Sequence, residues 1–337
     1  MVMLQTIVSE MVDCYSQDKE SINIELVINN KSMSSPYMVV HMENYCNNDP
    51  IVKRFKIIEY FKKENNHHFF KITGHHQLEY FSIIVIQNNI ANHLMRDYHF
   101  EPGDDVVISV ENIPESTGYD LNFSGAGSAK YRCLNECQDR LALDSVAKGL
   151  LYTTDDYYNI YNRHVKKRKL LLGVIEKFRP ELSYDSYFLL QADVIGERGR
   201  ELVDDFRQRI AFVLENDSKD GYEKMAYDYR KKVNLNLAAN IPFHIKYLSK
   251  EYAQFLVDKL VCDYLVQYKR INYFGIYNDI QKIKNSDLRD KTTVILFINY
   301  KNQMKNIYSS LMDDACSHIQ NKECLEKLKY LSARPRN

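Results

Sequence analysis

Seven cysteines are the residues of this chain best equipped for chemistry: Cys14, Cys46, Cys133, Cys137, Cys262, Cys316 and Cys324. No two are separated by two residues, so the thioredoxin-type Cys-x-x-Cys and the usual zinc pairs are both missing. An odd, dispersed count does not make a disulfide framework. Cys133 and Cys137 fall one helical turn apart on one face. That spacing reads as two small apolar helix positions; a redox pair or half a metal site is the sharper alternative. Histidines form a second set: His67, His68, His75 and His76, with His93 and His99 further on. A hairpin turning near Gly74 could bring the two pairs together. Adjacent strand residues face opposite sides, however, so at most one histidine of each pair could join a site. No carboxylate or thiol sits at a telling distance, so the expectation is a structural or surface role and no metal.

Acid pairs at Asp104-Asp105, Asp155-Asp156, Asp204-Asp205 and Asp313-Asp314 invite an acid–base reading. Each is a pair of sequence neighbours at a turn or helix edge. Turn chemistry accounts for the first, and the preference of helix N-termini for negative charge for the second. Gly125-Ala-Gly127-Ser-Ala-Lys130 lacks the four-residue gap before Gly-Lys-Ser/Thr and the third glycine of a dinucleotide turn. The basic run Val165–Lys169 reads as a solvated helix face, and His164 as a packed histidine. Neither a Gly-x-Ser-x-Gly elbow nor a His-Glu-x-x-His pair is present. No catalytic residue is assignable and no cofactor is expected.

The elements that would position these groups divide the chain in two. From Ser21 the period is two, with Ile22, Ile24, Leu26 and Ile28 on one face. Similar strands are predicted at Tyr37–Met42, Arg54–Tyr60, His68–Ile72, Leu78–Gln87, Asn92–Tyr98, Val106–Glu111 and Tyr119–Phe123. Turn formers separate them: Asn47–Pro50, Lys63–Asn66, Thr73-Gly74, Asn88-Asn89 and Pro102-Gly103-Asp104. Asn88-Asn89 is the best tight-hairpin candidate. From Ala129 the period becomes 3.6. Val146–Gly149 reads as a helix stop, Asp155–Phe178 as a long helix closed by Pro180, and Ser183 as the next cap. That next helix is expected to reach Gly196 and then continue, with Glu215–Gly221 as the clearest loop. Ser249 starts a helix whose core side is expected to carry Tyr252, Leu256, Leu260 and Tyr264, and Thr292–Ile298 alone could pass for a strand. The fold class is therefore α+β: an N-terminal antiparallel β-sandwich-like domain, 1–127, followed by an all-helical domain, 128–337.

Forty-five Lys and Arg balance 45 Asp and Glu, so no net field favours nucleic acid or an anionic membrane. Tyrosine is abundant at 26 and tryptophan absent, which suits an aromatic core with wet edges; a tyrosine-lined binding cleft is the sharper alternative. No stretch approaches the roughly 18 apolar residues of a membrane span. Met1–Tyr15 reads as a short helix or a ragged lead-in, with no basic n-region of a signal peptide.

The order of the pieces carries a resemblance. A strand-rich front ends in Glu101-Pro-Gly-Asp104 and a strand, then Phe123-Ser-Gly-Ala-Gly-Ser-Ala-Lys-Tyr131, then helices containing Tyr187–Glu197 (YFLLQADVIGE). Over roughly Ser21–Ile210 this resembles the N-terminal part of bacterial TlpA-type thiol-disulfide oxidoreductases, in which a β-rich domain and a helical segment precede a thioredoxin domain. The resemblance implies a periplasmic or cell-envelope setting, with the cytoplasm as the alternative for a chain without an export signal. It also implies a protein or peptide partner, a thioredoxin-fold protein among the choices. That family's catalytic Trp-Cys-x-x-Cys is absent here, and the chain stops where the thioredoxin domain would begin. The expectation is a non-catalytic docking module. The alternatives are an enzyme with a site in a Tyr/His-lined interdomain cleft, or the N-terminal part of a truncated or split oxidoreductase.

Overall fold

The computed structural model describes residues 21–29, 33–41, 55–73, 78–87, 90–112, 119–145, 156–216, 219–233 and 238–333. Met1–Tyr15, Asn47–Pro50, Gly74, Asn88-Asn89, Val146–Gly149, Cys14, Cys46, His75, His76 and Asp155 lie outside the described residues. Strands occupy 22–126 and helices 128–332, so the fold is α+β with a β domain first and a helical region after it.

Nine strands build two sheets: β1 Ile22–Ile28, β2 Met33–His41, β3 Phe55–Glu59, β4 Lys62–Glu64, β5 His67–Ile72, β6 Glu79–Gln87, β7 Ile90–Phe100, β8 Asp105–Asn112 and β9 Tyr119–Ala126. One sheet runs β4-β5-β1-β8-β9 and the other β3-β2-β6-β7. Both turn an apolar face to a common core. Ile22, Ile24, Leu26 and Ile28 of β1 meet Val106, Ile108 and Val110 of β8, and Met38, Val40, Phe81, Ile83 and Val85 from the other sheet. Each such side chain contributes about 1.5–3 kcal/mol by leaving water. β6 and β7 pair from Gln87↔Ile90 onward, as a tight hairpin requires.

Two departures from the sequence reading appear among the strands. β4 overlaps the expected turn Lys63–Asn66, its three exposed residues pairing with β5. All-charged exteriors hide such a strand, because nothing alternates. β1 and β8 pair in parallel, whereas every other ladder is antiparallel. The chain builds the whole second sheet between them, and a long crossover of that kind is what parallel neighbours need.

The helices are α1 Ser128–Ser145, α2 Asp156–Phe178, α3 Tyr184–Glu215, α4 Lys219–Lys232, α5 Phe243–Leu248, α6 Lys250–Tyr268, α7 Tyr273–Gln281, α8 Ser286–Met304, α9 Tyr308–His318 and α10 Lys322–Ser332. By contact the chain forms two compact units. One holds the strands, α1 and Val174–Tyr187; the other holds the described residues of 149–173 and those from Phe188 onward.

In the second unit α3 does not stop at Gly196. Glycine is needed there for approach, since a Cβ would sit 2.5 Å from the Glu251 carbonyl carbon and 2.6 Å from the Tyr252 nitrogen. The expected loop Glu215–Gly221 shrinks as well, because α4 already begins at Lys219. Ser249 caps α6, accepting from the Tyr252 amide at 3.0 Å. The predicted stripe is only partly buried: Tyr252 is, but Leu256, Leu260 and Tyr264 are intermediate, while Ala253, Val257, Val261 and Leu265 face the core. α8 carries Thr292–Ile298 as helix and packs against α5, α6, α7, α9 and α10. A helix surrounded in this way is apolar all round, which is why its sequence mimics a buried strand.

Candidate functional site

The first unit is organised around two interlocked turns. Pro102-Gly103 reverses the chain with Gly103 at φ 87°, and the Asp104 amide donates to the Glu101 carbonyl at 3.1 Å. Asp104 then points back into the fold. Its Oδ2 accepts from the Glu101 amide at 3.0 Å and the Tyr131 hydroxyl at 3.1 Å, and its Oδ1 from the Lys130 ammonium at 2.5 Å. Lys130, only 2% exposed, also donates to Glu101 at 3.0 Å. The second turn is shaped to admit this carboxylate. Gly127 has φ 81°, and a Cβ there would lie 2.0 Å from Asp104 Oδ1.

The glycine-rich turn thus cradles an anion that the protein itself supplies, and the lysine beside it is committed to that anion. Burial raises the Asp104 carboxyl and outweighs the pull of Lys130. Burial would raise Glu101 too, but Lys130 and the Ser183 hydroxyl bring it below its ordinary value.

These turns fix the course of β9 and the start of α1, and a groove opens beside them. β9 ends its sheet, and its ladder with β8 is unbroken from Asp105↔Ala126 to Asn112↔Tyr119. Among the described residues its other edge makes no backbone hydrogen bond. Next to that edge lies a cavity of about 410 Å³ lined by Leu121, Phe123, Arg132, Asn135, Asp139 and Phe178, with four further residues of β8, β9 and α1. The other sheet ends are blunted in the ways edge strands usually are. β4 has three residues, all charged; β3 has five. β7 is broken by register shifts and by Asp97 at φ 59°.

No family model, curated protein or solved structure matches this chain.

The residues singled out by type fall elsewhere. His67 and His68 face opposite sides of β5: His67 pairs with Glu25, whereas His68 is buried and lowered, by burial first and then by Lys63. Among the described residues no three His, Cys, Asp or Glu are grouped to hold a metal ion. His99 Nε2 lies 3.0 Å from Ser186 Oγ, the spacing of a nucleophile and its base, but both are sealed in the core. Burial, aided by Lys130, holds His99 down at about 3, so a neutral imidazole braces the start of α3. There Ser183 caps as expected, accepting from the Ser186 amide at 3.0 Å.

Among the described thiols, Cys133, Cys137, Cys262 and Cys324 are buried and Cys316 is half-buried. Cys133 and Cys137 are buried on α1, and the hydrogen bond to Cys137, then burial, pushes the Cys133 thiol far up. Burial lifts Cys262 to about 12 and raises Cys316. Since the thiolate is the nucleophile, burial of this kind suppresses exchange.

In the second unit the acid pair Asp204-Asp205 separates. Asp205 accepts from His164 Nε2 at 2.7 Å, with Glu201 3.3 Å from Nδ1. Burial would lower His164, but these two carboxylates raise it. Asp204 instead meets Arg207 in a polar cleft of about 460 Å³ shared by Glu197, Arg200, Glu201, Glu251 and Asp258. Arg200 pairs with Glu251 and lies 3.4 Å from Asp258, and Tyr300 donates to Asp258 at 3.0 Å. The signal was present as charges at helical spacing along α3, but its partners on α6 cannot be found by spacing. The basic run is a solvated face only in part. Lys166 and Lys169 are exposed, Arg168 is half-buried and Lys167 buried, because five consecutive residues go all round a helix. Asp314 accepts from the Tyr277 hydroxyl at 2.5 Å. No helix among the described residues is long and apolar enough to cross a membrane.

Proposed function

We propose that this chain is a non-catalytic docking module that receives an extended segment of a partner polypeptide along the free edge of β9. The observation that carries the reading is that edge itself: eight residues in unbroken register, open on one side among the described residues and bordered by a groove. Strand addition uses such an edge for affinity through main-chain hydrogen bonds, and neighbouring hollows for side-chain choice. The enclosed thiols of α1 support the non-catalytic part. The likeness to the pre-thioredoxin region of TlpA-type proteins supports a cell-envelope setting and makes a thioredoxin-fold protein one candidate partner.

Hydrogen exchange on the full chain tests it. An extended peptide of alternating Thr and Val should slow exchange in β9, while the same peptide N-methylated at alternate residues should not. Absence of β9 protection at saturating peptide refutes docking at this edge. Reversible two-electron exchange with a glutathione buffer would refute the non-catalytic part.

A further inference from the structure

The charges around the β9 groove are not balanced. Arg132 is engaged by Glu181 and lies over the Phe178 ring. Glu136 is engaged by Lys177 at 2.8 Å and by Arg140 at 3.5 Å. Three other carboxylates have no ion-pair partner among the described residues. Glu111 and Asp120 stand directly opposite each other on the β8–β9 ladder, an arrangement of like charges that is unfavourable by itself. Asp139 of α1 receives only the Asn135 amide, at 3.2 Å. Asp139 itself lines the groove, and burial, then Asp120, then Glu136 raise its carboxyl. The chain as a whole carries no net charge, so this excess is local, beside the sheet edge that among the described residues is long, regular and open.

We infer that the β9 groove selects an extended partner segment carrying a lysine or arginine side chain placed to reach Asp120 and Asp139. The inference rests on the docking reading above and adds the chemistry of the partner. An added strand would supply main-chain partners for β9, and its cation would relieve the repulsion of Asp120 by Glu111 on one side and Asp139 on the other. A second copy of this chain is a poor occupant. The β9 strand of a second copy would bring another Asp120 and no lysine or arginine, so it offers no cation to the acids already there. Complementary charge at such a rim sets partner choice more than raw affinity.

Fluorescence anisotropy of the full chain with labelled eight-residue peptides tests the inference. The peptides alternate Thr and Val and differ at one central position: lysine, norleucine or glutamate. The lysine peptide should bind tighter than the norleucine peptide by about two- to fivefold per carboxylate engaged, and more at low salt. D120N/D139N, both conservative changes at exposed positions, should erase that preference, so that the lysine and norleucine peptides bind alike. Asp139→Lys should shift preference to the glutamate peptide. Equal binding of lysine and norleucine peptides, with β9 still protected from exchange, overturns the basic-partner inference and leaves docking intact. Binding of neither peptide overturns both. Concentration-dependent protection of β9 by the chain alone would make a second copy the occupant and overturn the inference.

Discussion

Replacing Lys130 by methionine removes the cation from the buried centre of the first unit while keeping the length of the side chain. Asp104, whose side chain is 4% exposed, then faces apolar surroundings with only the Glu101 amide and the Tyr131 hydroxyl as donors. Removing one partner of a buried ion pair typically costs about 3–5 kcal/mol. The low end applies here, because burial already raises the Asp104 carboxyl and the Glu101 amide and Tyr131 hydroxyl stay as donors. Since the chain has two compact units, a single melting curve would mix them; amide exchange in β1, β8 and β9 isolates the unit in question. At about 1.4 kcal/mol per factor of ten, those amides should exchange about a hundredfold faster or more. Adding Asp104→Asn should recover most of the loss by removing the stranded charge.

The pH dependence has a defined sign. In the parent chain Glu101 sits below its ordinary value of 4.5, so its contribution is present above that value and fades as pH falls through the lowered one. Without Lys130, burial raises both carboxyls, the folded state binds more protons than the unfolded, and stability should grow as pH falls from neutral towards those raised values. A loss below about 1 kcal/mol, the scale of an exposed pair, or a variant that weakens as pH falls, would refute the claim that this network is a buried, charge-balanced lock.

Two further tests use single side chains. Gly127→Ala drives a methyl into Asp104 at a positive φ and should cost at least about 2 kcal/mol. Gly173→Ala, with nothing within 4 Å of its new methyl, should stabilise α2 by about 0.5–1 kcal/mol; exchange on the pair reads both. By NMR, His99 should stay neutral down to about 3, whereas His164 should titrate above 6.5. The stabilisation from His164 is then complete below 6.5 and disappears as pH rises through its folded value, a dependence that His164→Gln should abolish.

Much of the fold could be read from periodicity. The alternation of β1 predicted its buried face residue by residue, and the Pro102-Gly103 turn and the Ser183 and Ser249 caps were visible as residue types. What alternation cannot encode is which strand lies next to which, so the parallel β1·β8 pair was invisible. The helix was expected to continue past Gly196, and it does; what spacing could not show is that this glycine admits a neighbouring backbone. The candidate groove was illegible for a related reason. Asp139, which lines it, and Glu111 and Asp120 on the adjoining ladder are ordinary surface residues in sequence, and only the register of β8 with β9 and the approach of α1 set them near one another. The Gly125–Lys130 turn was noticed, but its ligand, the chain's own Asp104, lies across a strand pair.

The central place of β1 also has a consequence for biosynthesis. Its two neighbours, β5 and β8, leave the ribosome well after it does, and the second of them only after an entire other sheet has been made. Until then the isoleucines of β1 lack the surface they finally cover. The nascent chain must therefore hold an unfinished, sticky ribbon in solution, and long-range pairing of that kind is slow and prone to clumping. Chaperone demand during synthesis should concentrate on that early segment, well away from the helices made last.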